Sequence, residues 1–223
     1  MTLMQLLVPL AKSPKFWSLV ILSALLTLIR ETFNSWTPIY LTEELLMSDG
    51  DAATASMVFP LAGTLSAILG GFLVDRIPGA WRGAIPLVFL VFLSINLAGL
   101  AAFAEYYQGE GTWAIVLALF LIGMTAVFLI APYSFLDGVF TLELAGKQGC
   151  AATASIINGA GYIGAILSGV VTGVAADGSG WSLVFVILTV MAIISMGFQA
   201  LYWVFDLRDM RRLPEEQKLL DPA

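Results

Sequence analysis

Apolar residues run through this chain in blocks rather than in alternating or one-sided stripes. Six blocks, at about 16–41, 53–74, 84–104, 113–140, 150–174 and 181–206, are each long enough to cross a hydrocarbon layer of ~30 Å as a helix rising about 1.5 Å per residue. In lipid the main-chain polar groups are satisfied only within helices or closed barrels, and uninterrupted runs of this length predict helices. Short connections between the blocks predict antiparallel neighbours. The expected fold is therefore all-α and polytopic, a six-transmembrane-helix bundle over 16–206. A linker over 1–15 precedes it and a tail over 207–223 follows. The six blocks fall into two sets of three, 16–104 and 113–206, expected as two three-helix repeats.

Composition agrees with a membrane bundle. Hydrophobic residues make up 59% of the chain, charged residues 12%, and mean hydropathy is +0.92; a soluble domain averages about 45–50% and ~25%. The net charge of −6 argues against a nucleic-acid partner. One cysteine, Cys150, and no histidine imply no internal disulfide and no metal site. With no His for a Ser/His pair and no HExxH run, an enzyme is not expected, nor is a cofactor.

Charge placement predicts orientation. Lys12, Lys15, Arg76, Arg82, Lys147, Arg208, Arg211, Arg212 and Lys218 fall at one set of block ends. The opposite ends hold Glu43, Glu44, Asp49, Asp51, Glu105, Glu110 and Asp177, without Lys or Arg. The positive-inside tendency then puts both termini in the cytoplasm of a protein of the plasma or inner membrane. Aromatic residues at block ends, among them Trp36, Tyr40, Trp113, Trp181 and Trp203, read as interfacial anchors.

Arg30 belongs to neither set. It sits in the middle of the first block, roughly 21 Å from Phe16 and about 16 Å from Leu41 along a helix. A guanidinium at that depth costs roughly 2.5–3.5 kcal/mol, faces a bundle interior or wet cavity, and keeps its proton. Its planar fork suits phosphate bidentately. Thr27, Arg30 or Glu31, and Asn34 follow helical spacing and make one polar stripe. The alternative is an ion pair within the bundle. Glu31 is adjacent and points about 100° away, so it is expected to be a poor partner. Asp137 is expected roughly 20 Å deeper than Arg30, in a cluster with Asp75, Arg76, Arg82, Glu143 and Lys147 that closes an inner gate or forms a solvated rim. Glu31 is a candidate proton-coupling group. The small-residue run Ala151 to Gly173, with a GxxxG spacing at Gly169 and Gly173, predicts close helix packing.

Four stretches carry a resemblance. Gly71-Phe-Leu-Val-Asp75-Arg76-Ile-Pro-Gly79-Ala-Trp-Arg82-Gly83 reads G-x-x-x-D-R-x-x-G-x-x-R, in which Pro78 and Gly79 turn the chain; it resembles a cytoplasmic-loop motif of major facilitator superfamily transporters. Arg30 followed by Trp36-Thr37-Pro38-Ile39-Tyr40-Leu41 is similar to helix 7 of the organophosphate:phosphate antiporters, the glycerol-3-phosphate and sugar-phosphate exchangers. Thr141 to Lys147 and Gly161-Tyr162-Ile163-Gly164 resemble the same family's helices 10 and 11. The likeness covers that family's C-terminal six helices. It implies that Arg30 is one of two arginines gripping phosphate, and that Tyr162 is a ligand-facing tyrosine. In glycerol-phosphate exchangers a tyrosine stands where Thr27 is, and a second is missing near Pro132, although Tyr133 is close.

The function this implies is exchange of an organic phosphate for inorganic phosphate by alternating access. Arg30, Asn34, Tyr162, Thr27 and Tyr133 would contact the substrate. A carrier for another organic anion, or a sugar-phosphate sensor of the same fold, remains the alternative. The expected partners are a small anionic substrate, the lipid bilayer and a missing N-terminal six-helix half. Met1 to Lys15 reads as the end of a central loop, which favours a fragment of a twelve-helix protein over pairing with a second chain.

Overall fold

A computed structural model describes residues 9–77, 79–107 and 111–220. Residues 1–8 of the linker, Pro78 of the turn, Glu110 and 221–223 lie outside the described residues, as do the side chains of Arg211, Arg212 and Lys218. Helix α1 (Pro14–Glu43) starts with proline in its first turn, where the missing N–H has no helical partner to lose. A short α2 (Asp49–Ala55) leads to α3 (Val58–Arg76). A single turn, α4 (Gly79–Arg82), precedes α5 (Ala84–Tyr106), and α6 (Thr112–Phe135) continues as a π-helical segment, Leu136–Phe140. The last helix, α7 (Thr141–Leu220), is broken at Gly146 (φ 62°) and Gly180 (φ 81°). Both breaks occupy backbone that side chains with a Cβ rarely adopt, so glycine is what lets the chain turn there. Two arms result, 147–179 and 181–220. No strand occurs among the described residues.

Cross-helix contacts give every pass its direction. Ser23, Ala24 and Thr27 of α1 face Gly161 and Gly164, and Trp36 faces Gly173, so α1 runs parallel to 147–179. Lys15 meets Asp206 while Glu43 meets Trp181, so 181–220 returns antiparallel to α1. α5 opposes that arm through Gly83 with Gln199 and Ala101 with Ser182. It also opposes α6, through Phe89 with Phe128 and Asn96 with Leu121. α3 is parallel to α6, with Val58 near Gly123 and Gly70 near Ala131. The six passes therefore alternate.

The same contacts contain an inverted repeat. Pairing α1 with α6, α3 with 147–179, and α5 with 181–220 maps each helix onto one of opposite direction. The α1 contact with 147–179 then becomes the α6 contact with α3, and both are made through glycines. A three-plus-three arrangement of this kind marks one half of a transporter fold.

Leu19, Leu22, Leu26, Ile29 and Phe33 of α1 and Leu90, Leu93, Leu97 and Leu100 of α5 fill the core. Polar links cross it sparingly. Asn96 Nδ2 donates to Leu121 O at 2.9 Å and to Thr125 Oγ1 at 2.8 Å, and Gln199 Nε2 donates to Gly83 O at 2.8 Å. Such bonds between membrane helices contribute about 0.6–2 kcal/mol. On the outside, Leu61, Leu65, Ile68, Leu69 and Phe72 of α3 form an exposed apolar face. A second runs through Ile163, Ile166, Val170 and Val174 of the 147–179 arm. Faces this apolar are covered by lipid or by another apolar surface.

The close packing falls elsewhere than at the GxxxG pair. Gly169 has open space where a Cβ would sit, and Gly173 meets only the Trp36 ring at 3.4 Å. The tight approach is five to eight residues before Gly169: a Cβ on Gly161 would lie 2.8 Å from Thr27 Oγ1, and one on Gly164 would collide with the Ala24 carbonyl. Spacing identified the face-forming residue type, but the crossing point depends on the interhelical angle.

Candidate anion-binding site

Halfway along α1, Arg30 and Glu31 are paired. Arg30 Nε and Nη2 donate to Glu31 Oε1 at 2.9 and 2.7 Å, with the two side chains 29% and 26% exposed. This corrects the expectation that Glu31 is a poor partner. The two Cβ atoms do diverge by about 100°, but both side chains are long and curl along the helix surface until the charged ends meet. Away from bulk water the cost of leaving two charges apart exceeds the cost of bending them together.

Tyr133 of α6 lies beneath the guanidinium, with Arg30 Cζ 4.5 Å from the ring centroid. A cation over an aromatic face gains about 0.5–1 kcal/mol where partly exposed. Asp137 follows Tyr133 by four residues, one helical turn on, and its carboxylate lies within electrostatic reach of Arg30 and beside the Asn158 side chain. That places Asp137 closer to Arg30 than the expected depth of roughly 20 Å beyond it. Counting residues from the outer ends assumed level, parallel helices. With Tyr133 already under Arg30, α6 and α1 are offset, and the long arginine side chain closes the remaining gap.

The other predicted contacts separate. Asn34 is exposed one turn beyond Arg30. Thr27 is buried in the interface with Gly161, and its hydroxyl, like that of Ser23, has no hydrogen-bond partner among the described residues. Tyr162 is 71% exposed on the neighbouring face of the 147–179 arm and makes no ring or hydrogen-bond contact with Arg30 among the described residues. Asn158 was missed, although an amide inside a run of small apolar residues is itself a signal.

At the end of the bundle where Lys15 and Arg82 lie, a second polar set forms. Arg82 Nη1 lies 3.2 Å from Glu143 Oε1 and Arg82 Nε donates to Ile77 O, while the Tyr202 hydroxyl reaches Glu143 Oε2 at 3.5 Å. Lys15 Nζ bridges Asp206 at 2.9 Å and Asp209 at 2.8 Å. Asp75, Arg76 and Lys147 are exposed at this end. At the opposite end Trp181 Nε1 donates to Glu43 at 2.9 Å. Burial, with the charge of Glu43, raises the pKa of Glu44 there. Among the described residues no three metal-ligating groups converge.

An inverted-repeat bundle of six alternating apolar helices, with a partly exposed arginine at the centre of its first span, is one half of a multi-pass membrane transporter fold. No protein-family model matches the chain. Curated relatives do. It is 29% identical over 182 residues to the "Probable hexose phosphate transport protein" of Chlamydia trachomatis, covering 81% of this chain and 38% of that protein. It is 29% identical over 185 residues to "Membrane sensor protein UhpC" of Escherichia coli, covering 82% and 40%. A "Glycerol-3-phosphate transporter" of Haemophilus influenzae is 27% identical over 182 residues, covering 76% and 37%. These homologues are the organophosphate:phosphate antiporter family of the major facilitator superfamily, and the chain is related to that family at modest identity over most of its length. The chain spans about two fifths of the length of these relatives.

Proposed function

We propose that this chain forms one wall of an organic-phosphate carrier and that Arg30 holds the phosphoryl group. The observation that carries the reading is a guanidinium stationed mid-span yet partly open to the outside of the bundle, in a chain whose relatives are named for hexose phosphate and glycerol-3-phosphate. A cation at that depth is costly, and its partial exposure beside Glu31 leaves the guanidinium within reach of an anion entering from outside the bundle. Asn34, on the same exposed face, adds donors. A second six-helix half supplies the opposite wall against the apolar faces of α3 and 147–179. Substrate exchanges with inorganic phosphate as the two halves rock about the site. The basic end, with Arg82, Glu143, Asp75, Arg76 and Lys147, faces the cytoplasm of a plasma or inner membrane and closes the inner gate.

Uptake of labelled glycerol-3-phosphate or glucose-6-phosphate into phosphate-loaded membranes of the native host tests this. Flux that collapses in Arg30→Lys, which keeps charge but loses the fork, supports the carrier; unchanged flux in both Arg30→Lys and Arg30→Ala rejects the site. A sensor is the second reading, favoured by the likeness to a protein named as a membrane sensor. Binding of sugar phosphate without flux in the same membranes would select it.

A further inference from the structure

Glu31 occupies the Nε/Nη2 edge of Arg30, two of the five N–H donors of the guanidinium. One carboxylate oxygen accepts from both Nε and Nη2, and the Tyr133 ring covers one flat face of the guanidinium. The Asp137 side chain faces Arg30 from α6 as a second acidic group. Resting on the phosphate reading above, we propose that Glu31 is an internal competitor which an incoming anion displaces from Arg30, and that this competition makes the site selective for phosphate dianions over monocarboxylates.

The reasoning is an exchange balance. A monocarboxylate ligand taking the Nε/Nη2 edge replaces one carboxylate–guanidinium pair by another of the same charge and geometry. It gains almost nothing and leaves Glu31 unpaired in a half-buried setting. A phosphate monoester brings roughly twice the charge and three acceptor oxygens to the same fork. The monoester's charge strengthens its attraction to the guanidinium and its repulsion from Glu31 and Asp137 together, so the discrimination comes from its third oxygen, which stays free for a further donor while two oxygens hold the fork. A carboxylate spends both oxygens on the fork and has none left to offset the release of Glu31. Arginine alone does not separate the two, since its fork accepts carboxylate and phosphate alike. Glu31 is the residue of this chain that converts a general anion grip into a discriminating one.

The experiment titrates the purified full chain in lipid nanodiscs with radiolabelled inorganic phosphate, then competes with acetate and with glycerol-3-phosphate. Glu31→Gln is nearly isosteric and removes the competing charge; Glu31→Asp keeps the charge, and circular dichroism confirms that both retain helix. We expect Glu31→Gln to bind phosphate about tenfold more tightly and to let acetate compete, while Glu31→Asp stays close to the parent in selectivity. Weaker phosphate binding in Glu31→Gln would show that the carboxylate merely positions Arg30, and overturns the proposal. Phosphate binding with acetate excluded equally from parent and Glu31→Gln overturns it too, leaving the phosphate site intact. No phosphate binding by the parent or either variant overturns the competition proposal, while uptake in native-host membranes separately decides the carrier reading.

Discussion

The main-chain carbonyl of Ala24 sits where a side chain on Gly164 would begin, so α1 and the 147–179 arm touch backbone to backbone at this point. No rotamer change relieves such a collision, because the obstructing atom belongs to a helix rather than to a flexible side chain. Gly164→Val should therefore force the two helices apart and cost about 1–3 kcal/mol or more. Gly169→Ala, with open space around it, should stay within about 0.5 kcal/mol of the parent. Thermal unfolding in detergent compares the two, and equal losses would contradict the packing described.

Tyr133 makes a different kind of contact, since its ring face is what Arg30 rests on. Tyr133→Phe keeps that face and should leave phosphate affinity within about twofold. Tyr133→Leu removes it, and loss of about 0.5–1 kcal/mol corresponds to binding about two to five times weaker. Phosphate titration of the two variants separates the ring from the hydroxyl. A larger loss in Tyr133→Phe would mean that the hydroxyl, and not the ring, contacts the anion.

Arg82 and Glu143 join the turn after α3 to the start of α7. Partly exposed pairs contribute at most about 1 kcal/mol, so Glu143→Gln should barely move the unfolding temperature. Its effect belongs to the transport cycle: with the link gone, exchange rate in native-host membranes should change while substrate affinity holds. Asp75→Asn is expected to follow the same split. An affinity loss with unchanged rate would assign these residues to substrate binding instead.

The pH dependence at the opposite end has a definite sign. Burial and then the neighbouring Glu43 raise the Glu44 pKa above its ordinary 4.5. A carboxyl with a raised folded pKa favours the fold while protonated. That contribution is complete below the unfolded value and is lost as pH rises through the folded one. Its position just past the last turn of α1 adds an unfavourable helix-dipole term for the anion. Glu44→Gln should raise thermal stability at neutral pH and flatten the decline between acid and neutral pH. A variant with the parent's full decline would place the pH sensitivity elsewhere.

How much of this was legible in advance differs by physical cause. Lipid-crossing length and the segregation of Lys and Arg are properties of the chain itself, so the all-helical bundle and Arg30 as its outlier could be read directly. The break at Gly146 was less visible, because one glycine among many becomes a turn only through its φ. Glu31 was misjudged because Cβ direction is a poor guide for side chains with three or four rotatable bonds. Asp137 was misplaced because helix offset and tilt, which set its depth, are tertiary quantities. Thr27 shared the helical spacing of Arg30 and Asn34, yet the approach of Gly161 buries it.

Asp137 lies in the π segment, which Phe140 packs against its neighbours. The Phe140 side chain is fully buried, with its ring 4.6 Å from Tyr202 and 6.4 Å from Phe135. A π turn has poorer hydrogen-bond geometry than the α-helix around it and persists where packing favours it. It begins four residues after Pro132, whose missing N–H already weakens the ladder there. Phe140→Ala should cost about 3–5 kcal/mol by opening a cavity. Phe140→Leu, which nearly conserves volume, should cost about 1.5 kcal/mol or less. If the π turn carries Asp137 to Arg30, phosphate affinity should also shift in Phe140→Ala below its unfolding temperature. Unfolding curves and phosphate titration of both variants check this. A stability loss with affinity untouched would mean that the wide turn packs the bundle without shaping the site.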